Sequence, residues 1–199
     1  ASTTIEEDHV PSPIPKWWKN APLDQTLLQN LENFCQQHTQ GNGCVVLFSG
    51  VLFTRSEGQR STWLTRALVK MGIPVIFAYF RFAGQEQQAQ DADFPLVFQL
   101  PIDQLWAFPI AYLNLLQQIG RQRHFIAEFP HPALIRLLNL FRSRNFVTIY
   151  ETIDDWAEFH RVGQAEWYTP EVERYVLANV DALTATAETL AEHMATLSS

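Results

Sequence analysis

From residue 44 onward the chain alternates between apolar runs of strand length and stretches with helical spacing. The runs are CVVLFSG (44–50), IPVIFAYF (73–80), PLVFQL (95–100), HFIAEF (124–129), FVTIY (146–150) and DALTATA (181–187). The clearest helical pattern covers 59–71, where Trp63, Leu64, Ala67, Leu68 and Met71 share one predicted face and Gly72 supplies the stop. Further helices are predicted over 103–119 (broken or restarted at Pro109), 132–141, 170–178 and from Glu188 onward. Ahead of them, Leu27, Leu28, Leu31, Phe34 and Cys35 predict a helix over 23–38 that ends before Gly-Asn-Gly at 41–43. Continuous apolar strands separated by helices indicate an α/β fold, with a mostly parallel sheet of about six strands covered on both faces.

Residues 1–22 break this pattern. Pro11, Pro13, Pro15 and Pro22 stand among acidic and small residues, which predicts an N-terminal arm pinned to the domain by Trp17 and Trp18. The domain itself is expected over 23–199. With 47% hydrophobic and 13% aromatic residues in 199, a sizeable core is available. No apolar run reaches the length of roughly 18 residues that a membrane-spanning helix needs, and no stretch resembles a signal peptide. Two cysteines, Cys35 and Cys44, make no zinc pattern and read as reduced thiols of a cytoplasmic protein. Ala1 is not an initiator Met, and the last helix is followed by no closing strand. Both features suggest one domain of a longer chain.

Charge adds a contrast. The net charge of −7 argues against general nucleic-acid binding. Within 121–144, however, Arg121, Arg123, Arg136, Arg142 and Arg144 face the single acid Glu128, whereas 151–192 holds ten acids against Arg161 and Arg174. The arginine stretch reads either as a solvated helix face or as a basic surface for phosphates or anionic lipid headgroups.

Several chemistries are excluded. There is no G-x-x-x-x-G-K-[ST], so no P-loop; Gly-Asn-Gly at 41–43 precedes its strand and is a turn, not a dinucleotide fingerprint. No G-x-S-x-G elbow occurs, and no histidine neighbours Ser49 or Ser61 in sequence. The first strand ends in Ser49-Gly50, without the acidic pair of a receiver domain. The spacing of Glu151, Asp154, Asp155 and His160 matches no metal loop, so no metal and no cofactor are expected.

What remains clusters at predicted strand ends, where open α/β sheets bind ligands. After the first strand, Gly50 is followed by Gly58, Gln59 and Arg60 at the mouth of a helix, a setting suited to anions; Arg60 or Arg55 can add a phosphate contact. The fourth strand ends in AEFPHP, which brings out Glu128 and His131, with Pro132 placed to start a helix. The fifth ends in YETIDDWAEF, which delivers Glu151, Asp154, Asp155 and Trp156. Asp154 and Asp155 read either as base or sugar-hydroxyl acceptors or as a helix cap, and Trp156 either as a face for a sugar ring or as a core side chain. His131 reads as catalytic or as a capping histidine.

Taken together, these segments resemble the N-terminal Rossmann-like domain of a GT-B glycosyltransferase of the family-4 type. The resemblance is carried by the first strand, its loop and its helix, by AEFPHP, by YETIDDWAEF and by VERYVLANVDALTATAETLAEHM, and it spans about residue 44 to the C-terminus. It implies a parent enzyme that transfers a sugar from a nucleoside-diphosphate sugar to a sugar or lipid-linked hydroxyl acceptor without an active-site metal. This domain would be the acceptor side, inactive alone, and the donor would be gripped mainly by a second domain. By position, the resemblance sets Gly58 and the helix start toward the donor diphosphate or acceptor. It sets Glu128 and His131 near the sugar, and Asp154 and Asp155 along the acceptor side. The catalytic base stays open, since the family's histidine after the fifth strand is replaced here by Thr152-Ile153. Peripheral membrane contact is a further expectation. The alternatives are a non-catalytic ligand-binding or partner module on the same frame and a sugar epimerase of the same shape.

Overall fold

All six apolar runs become strands of one parallel sheet. The computed structural model describes residues 14–53 and 58–197. In chain order the elements are α1 (Lys16–Lys19), α2 (Gln25–His38), β1 (Gly43–Ser49), α3 (Arg60–Lys70), β2 (Val75–Tyr79), β3 (Val97–Pro101), α4 (Ile102–Ala107), α5 (Pro109–Leu116), β4 (Gln122–Ala127), α6 (Ala133–Ser143), β5 (Val147–Thr152), α7 (Trp156–Arg161), α8 (Pro170–Asn179), β6 (Ala182–Ala185) and α9 (Glu188–Leu197). The strand order is β3-β2-β1-β4-β5-β6, with every neighbouring pair parallel. This is a Rossmann-like α/β sheet, and its direction of growth reverses between β1 and β4.

β1, β2 and β3 are buried nearly throughout because both faces of the sheet are covered there, whereas the edge strand β6 is largely exposed. On one face, Val46, Phe48, Ile76, Ala78, Phe125 and Tyr150 pack under α2, α5, α6 and α8. On the other, the alternate residues Val45, Leu47, Val75, Phe77 and Val97 meet Leu64, Leu68 and Val69 of α3. The predicted orientation of α3 needs correction. Trp63 and Met71 are 56% and 73% exposed and Ala67 faces solvent, while Ser61, Thr62 and Thr65 are buried. These small hydroxyl residues turn inward because the first turns of α3 run beside the polar end of β1, where Ser49 donates to the Ser61 hydroxyl at 3.0 Å.

The arm is more integral than its prolines suggest. Among its described residues Trp18 is fully buried in the main core, stacked near Phe80, Trp106 and His131. Arg81, which lies over the Trp17 ring, makes two 2.7 Å hydrogen bonds to buried Asp103, tying the chain after β2 to the start of α4.

At the amino edge of the sheet two turns interlock. A Cβ on Gly43 would lie 2.1 Å from the Gln122 carbonyl oxygen, and one on Gly120 (φ 57°) would lie 2.7 Å from Gly43 N. Only glycine allows β1 and β4 to enter the sheet with their backbones this close. From there the two strands pair without interruption from Gly43↔Gln122 to Phe48↔Ala127.

The arginine-rich stretch is mostly engaged within the domain. Arg123 donates to the Gln117 carbonyl, Arg144 to Asn114 and Gln117, Arg142 lies 3.7 Å from Asp181, and Arg136 stacks on Trp106. Among the described residues no helix is long and apolar enough to cross a membrane.

Candidate functional site

Past the carboxyl ends of β1 and β4, at the point where the strand order reverses, lies a cleft of about 510 Å³. Its polar floor comes from Ser49, Ser61 and Glu128, and its walls from Phe80, Phe82, Phe129, Trp156 and Trp167. Sheets of this kind bind ligands at such a point because the flanking loops diverge to opposite faces.

Glu128 is the first residue past β4 and is only 2% exposed. Its N–H continues the sheet ladder to the Phe48 carbonyl, which fixes its height beside Ser49. Loss of hydration and the neighbouring Glu151 push its carboxyl up to about 7, while hydrogen bonds from Ser49 and Ser61 and the charge of Arg60 oppose the rise. Its Oε1 has no hydrogen-bond partner among the described residues. A buried acceptor left open costs on the order of 1–3 kcal/mol in a folded protein, and this one belongs to a residue that lines the cleft.

Glu151, the penultimate residue of β5, is buried and holds Arg60, whose Nε donates to Oε1 at 3.2 Å and whose terminal nitrogen donates to the same oxygen. Arg60 is half-exposed and lines the cleft, but its charge is spent on this carboxylate. Of the expected glycine-loop anion site, Arg60 is therefore engaged within the domain. Gly58 is exposed and lies outside the cleft lining, and its nearest approach to another group is the Trp63 Nε1. Arg55 lies outside the described residues. Gly50 and Gln59 do line the cleft; a Cβ on Gly50 would make only ordinary contact with the Phe129 ring.

His131 lines the cleft and is 1% exposed, enclosed by Trp18, Phe80, Phe129 and Trp167. Its Nδ1 accepts from the Ala133 N–H at 3.1 Å, so it caps α6 and carries its proton on Nε2. Burial holds it down to about 3. It is neutral at physiological pH and serves the helix; it is not the base expected from its position in AEFPHP.

The two aspartates after β5 part company. Asp155 is the N-cap of α7, accepting from the Glu158 N–H at 3.0 Å, and it stands outside the cleft lining. Asp154 lines the cleft, and desolvation raises its carboxyl above the usual range. Trp156 packs on Phe129 and Trp167 and also lines the cleft. Its indole N–H is buried and has no partner.

The most important residues absent from the sequence reading are Trp167 and the loop that carries it. That loop also brings Gln164 and Glu166 to the cleft. It is held from behind by Glu173 of α8, whose carboxyl accepts from Tyr150 Oη at 2.8 Å and Tyr168 Oη at 2.7 Å. A signal existed: Glu173 sits beside Val172 and three residues before Val176, both fully buried, so helical periodicity places an acid in the core. No family model matches the chain, and no curated protein or solved structure does so.

Proposed function

We propose that this domain is the acceptor-binding half of a glycosyltransferase, and that the cleft holds a hydroxylated ring whose hydroxyl receives a sugar from a nucleoside-diphosphate sugar. The observation that carries this reading is Glu128: a buried carboxyl shifted to about 7, with one open oxygen, at the floor of an aromatic-walled cleft. A carboxyl of that pKa is divided between its two forms at neutral pH, which suits a general base. Aromatic rings offer the apolar faces of a sugar a surface that excludes water.

In this reading the Glu128 carboxylate accepts the proton of the acceptor hydroxyl as that oxygen bonds to the donor's anomeric carbon. The bond from that carbon to the diphosphate breaks, and the diphosphate leaves with the electron pair. Ser49 and Ser61 orient Glu128, Trp156 and Trp167 stack on the ring, and Asp154 takes a hydrogen bond from a second hydroxyl. The donor is held mainly by a second domain, so this domain alone does not turn over. The free, buried thiols of Cys35 and Cys44, both raised to about 12 by burial, fit a cytoplasmic setting, where contact with a membrane would be peripheral.

The test is transfer of labelled sugar from a panel of nucleoside-diphosphate sugars to hydroxyl acceptors by the protein in which this domain is joined to its donor-binding half, with Glu128→Gln beside it. The expected result is transfer by the native protein and a fall in kcat of roughly 10²-fold or more in the variant. Failure to transfer from any donor, or a variant with an undiminished rate, would overturn the reading.

A further inference from the structure

The charge of the cleft argues for a particular kind of ligand. Among the described residues that line it, Glu128, Asp154 and Glu166 are acids and Arg60 is the one base. Arg60 is already neutralised by Glu151 beneath it. His131 adds no charge, because burial and its bond to the Ala133 N–H keep it neutral. The cleft therefore presents an excess of negative charge in a partly dehydrated setting, where charge counts for more than in water.

Two further observations point to what balances it. The Oε1 of Glu128, on a side chain sealed from solvent at 2% exposure, has no hydrogen-bond donor. The walls are aromatic faces set at angles around the same space: Trp156 and Trp167 at 5.4 Å and 57°, Phe129 and Trp167 at 5.2 Å and 73°, Phe80 and Phe82 at 6.1 Å and 72°. Phe82, 76% exposed, stands at the rim. Aromatic rings and carboxylates lining one cleft are the chemistry that recognises an organic cation such as an alkylated ammonium group. An anion entering the same space would meet three carboxyls and no free cation among the described residues.

We propose that the ligand of this cleft carries a positively charged amine. Its ammonium group lies between Asp154 and the rings of Trp156 and Trp167, within the field of the Glu128 carboxylate, whose open oxygen stays with the acceptor hydroxyl. The assignment of that ligand as the acceptor rests on the function proposed above, which it narrows to amine-bearing acceptors such as amino sugars. The donor diphosphate is excluded from this part of the cleft by the same charge.

Calorimetric titration of the full 199-residue chain with glucosamine, glucose, glucose 6-phosphate and choline decides the matter. Glucosamine binding roughly tenfold tighter than glucose, with glucose 6-phosphate weakest, is the expected result. In Asp154→Asn, which removes one charge from the wall without changing its size, the preference for glucosamine over glucose should shrink about threefold. Glucose equal to glucosamine, or glucose 6-phosphate the tightest, would overturn the proposal while leaving a sugar-acceptor reading in place. Choline binding without either sugar would support the cation site and sink the sugar-acceptor reading. No binding by any of the four would overturn both.

Discussion

Glu128 and Glu173 are buried to almost the same degree, 2% and 1% exposed, yet they do opposite work. Glu173 sits in a closed network in which two tyrosine hydroxyls donate to it, joining β5, α8 and the loop of Trp167. Glu128 stands beside a second carboxylate, lines the cleft, and keeps one oxygen without a partner among the described residues. Burial of a charge is thus no mark of function in this molecule. What separates the two is whether the surrounding structure supplies enough donors. Where it does, the acid is a tie between elements; where it does not, as in Glu128, an acid that lines the cleft is left with an unpartnered oxygen among the described residues.

The most direct way to break this comparison is Glu173→Ala. It leaves two buried tyrosine hydroxyls without an acceptor and opens a gap behind the Trp167 loop, so it should destabilise the domain by about 4 kcal/mol. Urea unfolding measures this, and a loss below about 1 kcal/mol would mean that the network is not a tie. Glu128→Gln should move stability the other way. The carboxyl is raised in the fold from an ordinary 4.5 to about 7, so ionising it opposes folding, and the full penalty is present above pH 7. Removing it should stabilise the domain by about 3 kcal/mol at pH 8, read from the same unfolding curves.

A pH series sharpens the point. Because Glu128 titrates high in the fold, its contribution to stability grows as pH falls from about 7 to 4.5. His131 is lowered from 6.5 to about 3, so its contribution is lost as pH falls below 6.5, where only the unfolded chain takes up the proton. Between about pH 4.5 and 6.5 the two slopes cancel in the native protein. In Glu128→Gln the histidine slope is no longer offset, and on acidification stability should drop more steeply than in the native protein, by about 1.4 kcal/mol per pH unit. Equal slopes in the two proteins would show that the groups do not hold the proton states argued here. The smallest effect separates the paired aspartates: Asp155→Ala should cost about 1 kcal/mol in thermal unfolding by uncapping α7, and Asp154→Ala less than about 0.5.

The sheet was legible because β1, β2 and β3 are apolar on both faces and the remaining runs still stand out against polar turns. The helix over α3 was legible as an element but not as an orientation. Trp63 and Leu64 outweigh Ser61, Thr62 and Thr65 in any hydrophobic pattern, yet proximity to the polar end of β1 turns the hydroxyls inward. Candidate site residues were legible where they lie close behind a strand end, as Glu128, Asp154 and Trp156 do. Trp167 was not, because its place depends on α7, a six-residue helix, and on the long-range tie from Glu173. Nothing in a run of neighbours encodes that tie. The adjacent Asp154 and Asp155 show the limit most plainly: their chemistry is identical, and backbone direction alone sends one to the cleft and the other to a helix terminus.

The interlocked glycines at the far edge of the sheet act on the site as the zero mark of a ruler. Gly43 and Gly120 let the two central strands start in backbone contact, and the pairing then runs unbroken to Phe48 and Ala127. Ser49 and Glu128, one residue further on each strand, inherit their alignment from a contact about 20 Å away. A side chain at either glycine would offset one strand against the other by a fraction of a residue. That error would travel undiminished along two stiff, straight ladders. The tolerance of the cleft floor is therefore set where no ligand ever reaches.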